Sequence, residues 1–449
     1  MKTRLFSILL VFLLLLPLLM GHGFAADNTQ RPPHDAFAVV LADLYTGDIV
    51  YSHNMHEPLH PASTTKIMTA LLAVEALDRG QVSINDLLTT SAAALADMVP
   101  LGSNIGLEVG EEMAFESLLH AVMLVSANDA SNVIAEHLGG GSIDAFVEMM
   151  NNRARQLGAM NTNFTNPHGL TDDRHLTTAY DMFRIAQYAV TNPRFVELYS
   201  EIERPHPATN MRPAGIFRTT NLLMVPDNPS YNPDVYGVRT GFTSVAGFCF
   251  VSTAARGDVS LLAVVMGVPS PGEERDLEAE FGTTTNIYNW AFDHLVHREI
   301  MPQNTEIDRI PVLFGDGADT VGLRPAHAVR ALMHVDAEIS DNLRREVIIY
   351  SAATDEDPLE APIAQGDVLG SLTLFYGERQ FGPIPLVAAE TVHLSRIAYM
   401  RGELENTFGN VWVQLIIVVF ILLFVFYIIY AVRHSIKKRQ RRRARLNRK

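Results

Sequence analysis

The chain has 449 residues and a single cysteine, so no internal disulfide can form. Cys249 sits in the apolar, strand-like run Gly247-Phe248-Cys249-Phe250-Val251. That setting suits a buried structural thiol and not a nucleophile, which needs electropositive, partly exposed surroundings. No paired-cysteine pattern points to a metal, and the 16 histidines read as scattered. Lysine is almost as scarce. Lys2, Lys437, Lys438 and Lys449 lie in the terminal segments, which leaves Lys66 alone in between. Everywhere else the chain draws its positive charge from arginine, which stays protonated, whereas a buried lysine can lose its proton and act as a base. Lys66 follows Ser63 by three residues, and one helical turn would put both side chains on one face.

The two ends set the compartment. Lys2 and Arg4 precede an apolar run from Leu5 to Met20, and Gly23-Phe24-Ala25 precedes Ala26. This reads as a secretory signal peptide over 1–25. Val411 to Val432 is apolar apart from Gln414, and at 1.5 Å per residue it extends about 30 Å, enough to cross a bilayer. Trp412, Tyr427 and Tyr430 suit the two interfaces. The tail 433–449 is basic and carries no acid, so it is expected in the cytoplasm, with the bulk of the chain on the other side. Tail and leader hold 12 of the 35 Lys/Arg, so the remainder carries 23 against 50 Asp/Glu. A surface that acidic argues against nucleic acid as a partner.

Between leader and span the length calls for two domains. The first, over 26–298, opens with the alternating segments Ala36–Leu41 and Ile49–Ser52 around a Tyr45-Thr46-Gly47-Asp48 turn. Helical periodicity follows at Thr65–Leu77, Phe115–Val125, Ser131–Glu136, Ile143–Leu157 and Tyr180–Tyr188. Strand-like runs return at Val235–Arg239, Gly247–Ala254 and Ser260–Gly267, before a helix near Leu277–Leu295. Strands at both ends with helices between predict an α/β (α+β) fold, one mostly antiparallel sheet flanked by helices. The second domain, 304–394, reads as small and all-β, with segments such as Glu346–Tyr350 and Gly370–Leu374. Residues 395–410 are expected to link it to the span at 411–432.

Three places in the first domain carry chemistry. Ser63-Thr64-Thr65-Lys66 follows Pro61 and precedes an apolar helix. Ser-x-x-Lys is a weak pattern alone, and Ser435–Lys438 in the tail is a second match. The context of Ser63 differs, because a helix N-terminus favours developing negative charge. Ser126-Ala127-Asn128 follows an apolar helix, where a cap would be the plain explanation. Arg239-Thr240-Gly241-Phe242-Thr243 ends a strand and could be a simple turn.

In this order and spacing the three resemble the SxxK, SxN and K-T-G set of penicillin-recognising serine enzymes. His60–Thr69, Ser126–Ala130, Asn166-Pro167-His168-Gly169-Leu170, Thr178-Ala179-Tyr180-Asp181 and Thr220-Asn221-Leu222-Leu223 resemble the D-alanyl-D-alanine carboxypeptidases. These are the low-molecular-mass penicillin-binding proteins of peptidase family S11. Ala361–Asp367 and Pro385-Leu386-Val387-Ala388 resemble that family's C-terminal β domain, so the resemblance runs roughly from Ala36 to Leu394. It implies that Ser63 attacks the bond between two D-alanines of a peptidoglycan stem peptide and that β-lactams acylate it. Lys66 would be the neutral base, Ser126 would pass a proton to the leaving amine, and Asn128 would hold the substrate's amide. The N–H groups of Ser63 and Phe242 would form the oxyanion hole. Arg239, Thr240 and Thr243, with Gly241 in the same motif, would face the terminal carboxylate, and Arg275 is a further candidate. No metal or organic cofactor is implied.

The family's third motif usually begins with lysine, and here Arg239 takes its place. An electrostatic role survives that change, whereas a role in proton traffic would not. Three other readings share the motifs. A class A β-lactamase would need a deacylating glutamate, and Gly158–Leu170 has none. A non-catalytic, membrane-anchored wall or antibiotic sensor would need an effector, and the tail is too short for one. A D,D-endopeptidase on cross-linked peptidoglycan would use identical residues.

Overall fold

The computed structural model of the protein describes residues 31–98, 102–270, 277–350 and 359–446. The expected signal peptide and Arg275 lie outside them. The chain divides into two compact units, Met1–Arg298 with Ala331–Ala337, and Glu299–Arg330 with Glu338–Lys449.

The first unit starts with β1 (Ala38–Asp43) and β2 (Ile49–His53), then α1 (Lys66–Asp78). Next come the short pair β3 (Leu87–Thr89) and β4 (Glu112–Ala114), then α2 (Phe115–Leu124), α3 (Asn128–Leu138) and α4 (Ile143–Gln156). After α5 (Ala179–Ala189) and α6 (Pro193–Ser200), a hairpin of β5 (Glu203–His206) and β6 (Gly215–Arg218) leads on to the long strands. These are β7 (Val235–Thr243), β8 (Gly247–Arg256) and β9 (Val259–Val268), with α7 (Leu277–His294) behind them. The main sheet has the order β2-β1-β9-β8-β7, and its pairings are antiparallel.

The side chains of a strand alternate between faces, and here both faces are covered. Strand β1 sends Ala38, Val40 and Ala42 into one core, and Val39 and Leu41 into another. Strand β9 does the same with Leu262, Val264 and Met266 against Leu261, Ala263 and Val265. The first core is shared with α1 to α6, and the second with Phe281, Ile287, Tyr288 and Ala291 of α7. Cys249 faces the first core, where burial pushes its thiol up to about 12, as befits an inert structural group.

Helix α1 runs through the first core and is buried from Lys66 to Val74, as expected of a helix apolar on all sides. Local signals fix two later helix starts. The Thr178 hydroxyl accepts the Asp181 N–H at 3.0 Å and caps α5. Asn192 accepts from Arg194 and Phe195, with Pro193 at the first position, and so starts α6, a helix that the periodicity did not predict.

In chain order there follow β10 (Leu295–Met301), β11 (Asp308–Pro311), β12 (Thr320–Pro325), β13 (Val329–His334) and the short α8 (Ile339–Asn342). Then come β14 (Leu343–Ile349), β15 (Val368–Tyr376) and β16 (Arg379–Ala388). The second unit contains a five-stranded sheet of order β11-β12-β16-β15-β14, and its pairings are antiparallel. Val321, Leu323, Leu372, Leu374 and Leu386 are buried in it. The stretch expected as a linker is helical: α9 (Arg396–Gly409) starts where the Ser395 hydroxyl accepts the Ala398 N–H. One further helix, α10 (Val411–Leu446), is long and apolar enough to cross a membrane. The molecule is thus a mixed α/β fold with a C-terminal β unit.

Candidate active site

The site begins where the chain enters α1. Residues Ala62–Thr65 form a single 3₁₀ turn, which puts Ser63 one turn ahead of the helix and Lys66 at its first position. Hydroxyls hold the turn: Thr64 Oγ1 donates to the Pro61 carbonyl at 2.6 Å and Thr65 Oγ1 to that of Ala62 at 2.8 Å. Ala62 takes a left-handed φ of 48°, a strain that non-glycine residues accept only where their surroundings impose it.

Lys66 is fully buried. Its Nζ lies 3.1 Å from Ser63 Oγ, 2.7 Å from Asn128 Oδ1 and 2.6 Å from the His168 carbonyl. Burial first, and the Arg239 charge second, hold its pKa well below the usual 10.5, while Asp129 opposes them. A neutral amine has two N–H bonds and one lone pair. Asn128 Oδ1 and the His168 carbonyl can only accept, so they take the two hydrogens. The lone pair is left facing Ser63 Oγ, the geometry a general base needs.

A second wall comes from the loop between α2 and α3. Ser126 stands there with a left-handed φ of 66°. Asn128, two residues on, opens α3 and donates its own N–H to the Ser103 carbonyl at 2.7 Å. The Asp129 carboxylate accepts the N–H groups of Ile105, Gly106 and Leu107 and ties down the loop that carries Ser103. With its Oδ1 taken by Lys66, Asn128 has its NH2 left for a ligand.

Strand β7 is the third wall. A Cβ on Gly241 would lie 2.6 Å from the Ser63 nitrogen and 3.0 Å from that of Thr64, so only glycine lets the strand pass so close to the turn. Thr240 Oγ1 shares a hydrogen with Thr220 Oγ1 at 3.0 Å. Together these walls enclose a cavity of about 370 Å³. Its lining holds Ser63, Ser126, Asn128, Thr240, Gly241, Phe242 and Thr243. It also holds Gly102, Ser103, Gly169, Leu170 and Thr220, which were not singled out from the sequence as site residues. The last three lie inside the family-like stretches, whereas Ser103 carried no signal. A larger cavity of about 740 Å³ near Tyr51 and Trp290 contains no serine or lysine.

Arg239 lies elsewhere than expected. Its side chain is 2% exposed and is not part of the cavity wall. Nη1 donates to the Met123 carbonyl at 2.6 Å, while Nε and Nη2 are buried without hydrogen-bond partners. Met123 belongs to the last turn of α2, whose carbonyls lack intrahelical partners and form the negative end of the helix dipole, so the long guanidinium is drawn there. Burial lowers its pKa to about 9, which still leaves it cationic near neutrality.

Two buried histidines support the site. His175 donates from Nε2 to Thr65 Oγ1 at 2.8 Å, because that hydroxyl's own hydrogen goes to Ala62. Its Nδ1 accepts the Thr165 N–H, and burial holds it neutral with a pKa of about 3. His168 is packed likewise, 1% exposed. Gly169 beside it has φ +90°, and a side chain there would overlap the Ala62 carbonyl.

A serine facing a buried amine in a polar cavity is acyl-transfer geometry, and comparison with known proteins identifies its kind. Residues 25–270 match the family model for D-alanyl-D-alanine carboxypeptidase. The chain belongs to that family. Residues 297–394 match the model for the penicillin-binding protein 5 C-terminal domain. D-alanyl-D-alanine carboxypeptidase DacF of Bacillus subtilis is 32% identical over 390 residues, covering 86% of this chain and 94% of that protein. DacD of Escherichia coli is 29% identical over 381 residues, covering 83% and 92%. Penicillin-binding protein 5 of Haemophilus influenzae has a solved structure that superposes with a TM-score of 0.63 at 27% identity. That match covers 81% of this chain and 99% of the other. The chain is thus a serine peptidase of the low-molecular-mass penicillin-binding class, a family that acts on the D-Ala-D-Ala of peptidoglycan and binds β-lactams.

Proposed function

We propose that Ser63 is the nucleophile of this carboxypeptidase and Lys66 its base. Ser63 Oγ attacks the carbonyl of the penultimate D-alanine while Lys66 takes the hydroxyl proton. The developing oxyanion accepts N–H bonds from Ser63 and Phe242. Ser126 relays the proton to the departing D-alanine amine, and Asn128 steadies the substrate amide. Water then cleaves the Ser63 ester. Thr240 and Thr243 face the terminal carboxylate. Arg239 acts from behind the wall, its charge keeping Lys66 neutral.

The observation that carries this reading is the Lys66 amine, enclosed by two carbonyl acceptors with its free valence on Ser63. Intact-mass spectrometry after penicillin treatment tests it. A single adduct should form and persist, because Gly158–Leu170 supplies no glutamate to activate a deacylating water. Ser63→Ala should form none. An adduct on that variant, or wild-type turnover within seconds, would count against the assignment.

Arg239→Lys keeps the cation and gives up the fork, of which one arm is bonded. Acylation by penicillin should stay within about tenfold of wild type, the scale of one charge-assisted hydrogen bond. A loss of several orders of magnitude would mean that the guanidinium itself meets the ligand.

The apolar part of α10, Val411–Val432, crosses the membrane, with the catalytic unit outside the cytoplasm and the tail within it. Each central charge would cost about 2.5–3.5 kcal/mol for insertion, and this stretch carries none. Protein ending at Asn410 should leave the membrane fraction in a high-salt wash. If it still pellets, a second attachment exists.

A further inference from the structure

Lys66 owes the direction of its lone pair to two acceptors, and one is a backbone carbonyl, that of His168. A backbone carbonyl is only as well placed as its residue. Asn166 Oδ1 accepts the N–H groups of His168, at 3.3 Å, and Gly169, at 2.7 Å. The imidazole is held at both nitrogens. Nδ1 accepts the Leu170 N–H at 3.2 Å, so this nitrogen carries no proton. The hydrogen is therefore on Nε2, which points at Asp97 Oδ2 at 3.1 Å. Asp97 comes from the connection between β3 and β4, far from His168 in sequence. Its other oxygen, Oδ1, accepts from Asn132 Nδ2 at 2.8 Å, and Asn132 also donates to the Ala94 carbonyl. The ring is nearly inaccessible, while the Asp97 carboxylate is about half exposed.

We propose that Asp97 is a positioning residue for the base: it fixes the Nε2–H tautomer of His168 and thereby the carbonyl that orients Lys66. This rests on Lys66 being the base. The logic is that of an aspartate holding a catalytic histidine in one tautomer, moved one step outward, since the histidine here acts through its backbone. The titratable groups facing His168 are Lys66 and Asp97, with His175 also close by. Burial and Lys66 disfavour the imidazolium, and Asp97 opposes them. Neutral His168 has two tautomers, and only one satisfies Leu170 and Asp97 together.

The isosteric change is the sharp test. In Asp97→Asn, Asn132 still offers a donor, so the new amide keeps its oxygen there and turns its NH2 toward His168. Nε2 must then accept, the hydrogen moves to Nδ1, and it meets the Leu170 N–H. Asp97→Ala removes the acceptor without inserting a donor. The Asn variant should therefore be the worse of the two, the reverse of what lost packing would give. Full-length protein in detergent, labelled with 15N-histidine, reports the tautomer, with the His168 signal assigned from a His168→Gln sample. Stopped-flow acylation by a fluorescent penicillin separates binding from the acylation step. In the Asn variant the acylation step should slow by about fivefold to tenfold, the scale of one hydrogen bond. Initial binding should be unchanged, and the His168 nitrogens should exchange roles. The Ala variant should fall between it and wild type. A wild-type tautomer and rate in the Asn variant, or an Ala variant slower than the Asn one, overturns the proposal. Lys66→Arg separates the two ideas, because a fast Lys66→Arg enzyme sinks the base itself, whereas a fast Asp97→Asn enzyme sinks only the part given to Asp97.

Discussion

Lys66→Arg should lower the second-order rate of acylation by a fluorescent penicillin by about 10²–10⁴-fold, the usual contribution of a general base. The change keeps the charge and removes the titratable amine. In the wild-type enzyme Lys66 must be neutral to take the Ser63 proton, so acylation should climb with pH through its lowered pKa, on a limb below 10.5. The sign follows from the causes: burial and the Arg239 cation both disfavour the ammonium, so the working amine is populated at lower pH than in a free lysine. Arginine stays protonated throughout, so the variant should lose this limb along with the rate. Circular dichroism should show an intact fold. Near-normal acylation with the limb retained would mean that another group is the base.

That lysine could be found without a structure, because every other lysine sits at a chain end. So could the sheet. Its first strand was expected to alternate, yet Ala38–Ala42 is apolar throughout, as a strand covered on both faces requires, and the helices stacked on it follow from period 3.6. Other parts were hidden for physical reasons. Strand β7 was expected to stop at Arg239, since Thr240-Gly241 reads as a turn. Pairing of Thr240 to Thr243 with Gly247 to Phe250 overrides that local signal. Arg239 was expected to point at the ligand, but sequence does not say which way a long side chain turns, and the carbonyl end of α2 decides it. The His168 carbonyl was beyond reach, since every residue has one and only the fold selects which meets Lys66. Ser103 was missed for a similar reason: it enters the site because Asp129 pulls its loop against α3. Asn192-Pro193 was different. The cap and the N1 proline were both there to read, and α6 is short enough that its period was overlooked.

Gly241→Ala should cost nearly as much as losing the base, through the opposite wall. The added methyl would lie 2.6 Å from the Ser63 nitrogen and 3.0 Å from the Thr64 nitrogen, and both are backbone atoms that cannot swing aside. Either strand β7 or the 3₁₀ turn must move outward. Ser63 and Phe242, the proposed oxyanion donors, sit on these two elements, so their separation would open. Loss of one such donor typically costs about 10²–10³ in rate, and acylation should fall by that order. The two acceptors that orient Lys66, Asn128 Oδ1 and the His168 carbonyl, belong to neither β7 nor the turn. The pH limb of the residual activity should therefore keep its midpoint, which distinguishes this defect from that of Lys66→Arg. Gly282→Ala is the control: a Cβ there meets nothing within 4 Å, inside α7, and should leave acylation unchanged. If Gly241→Ala acylates at the wild-type rate, the close approach of β7 to Ser63 is not what builds the oxyanion site.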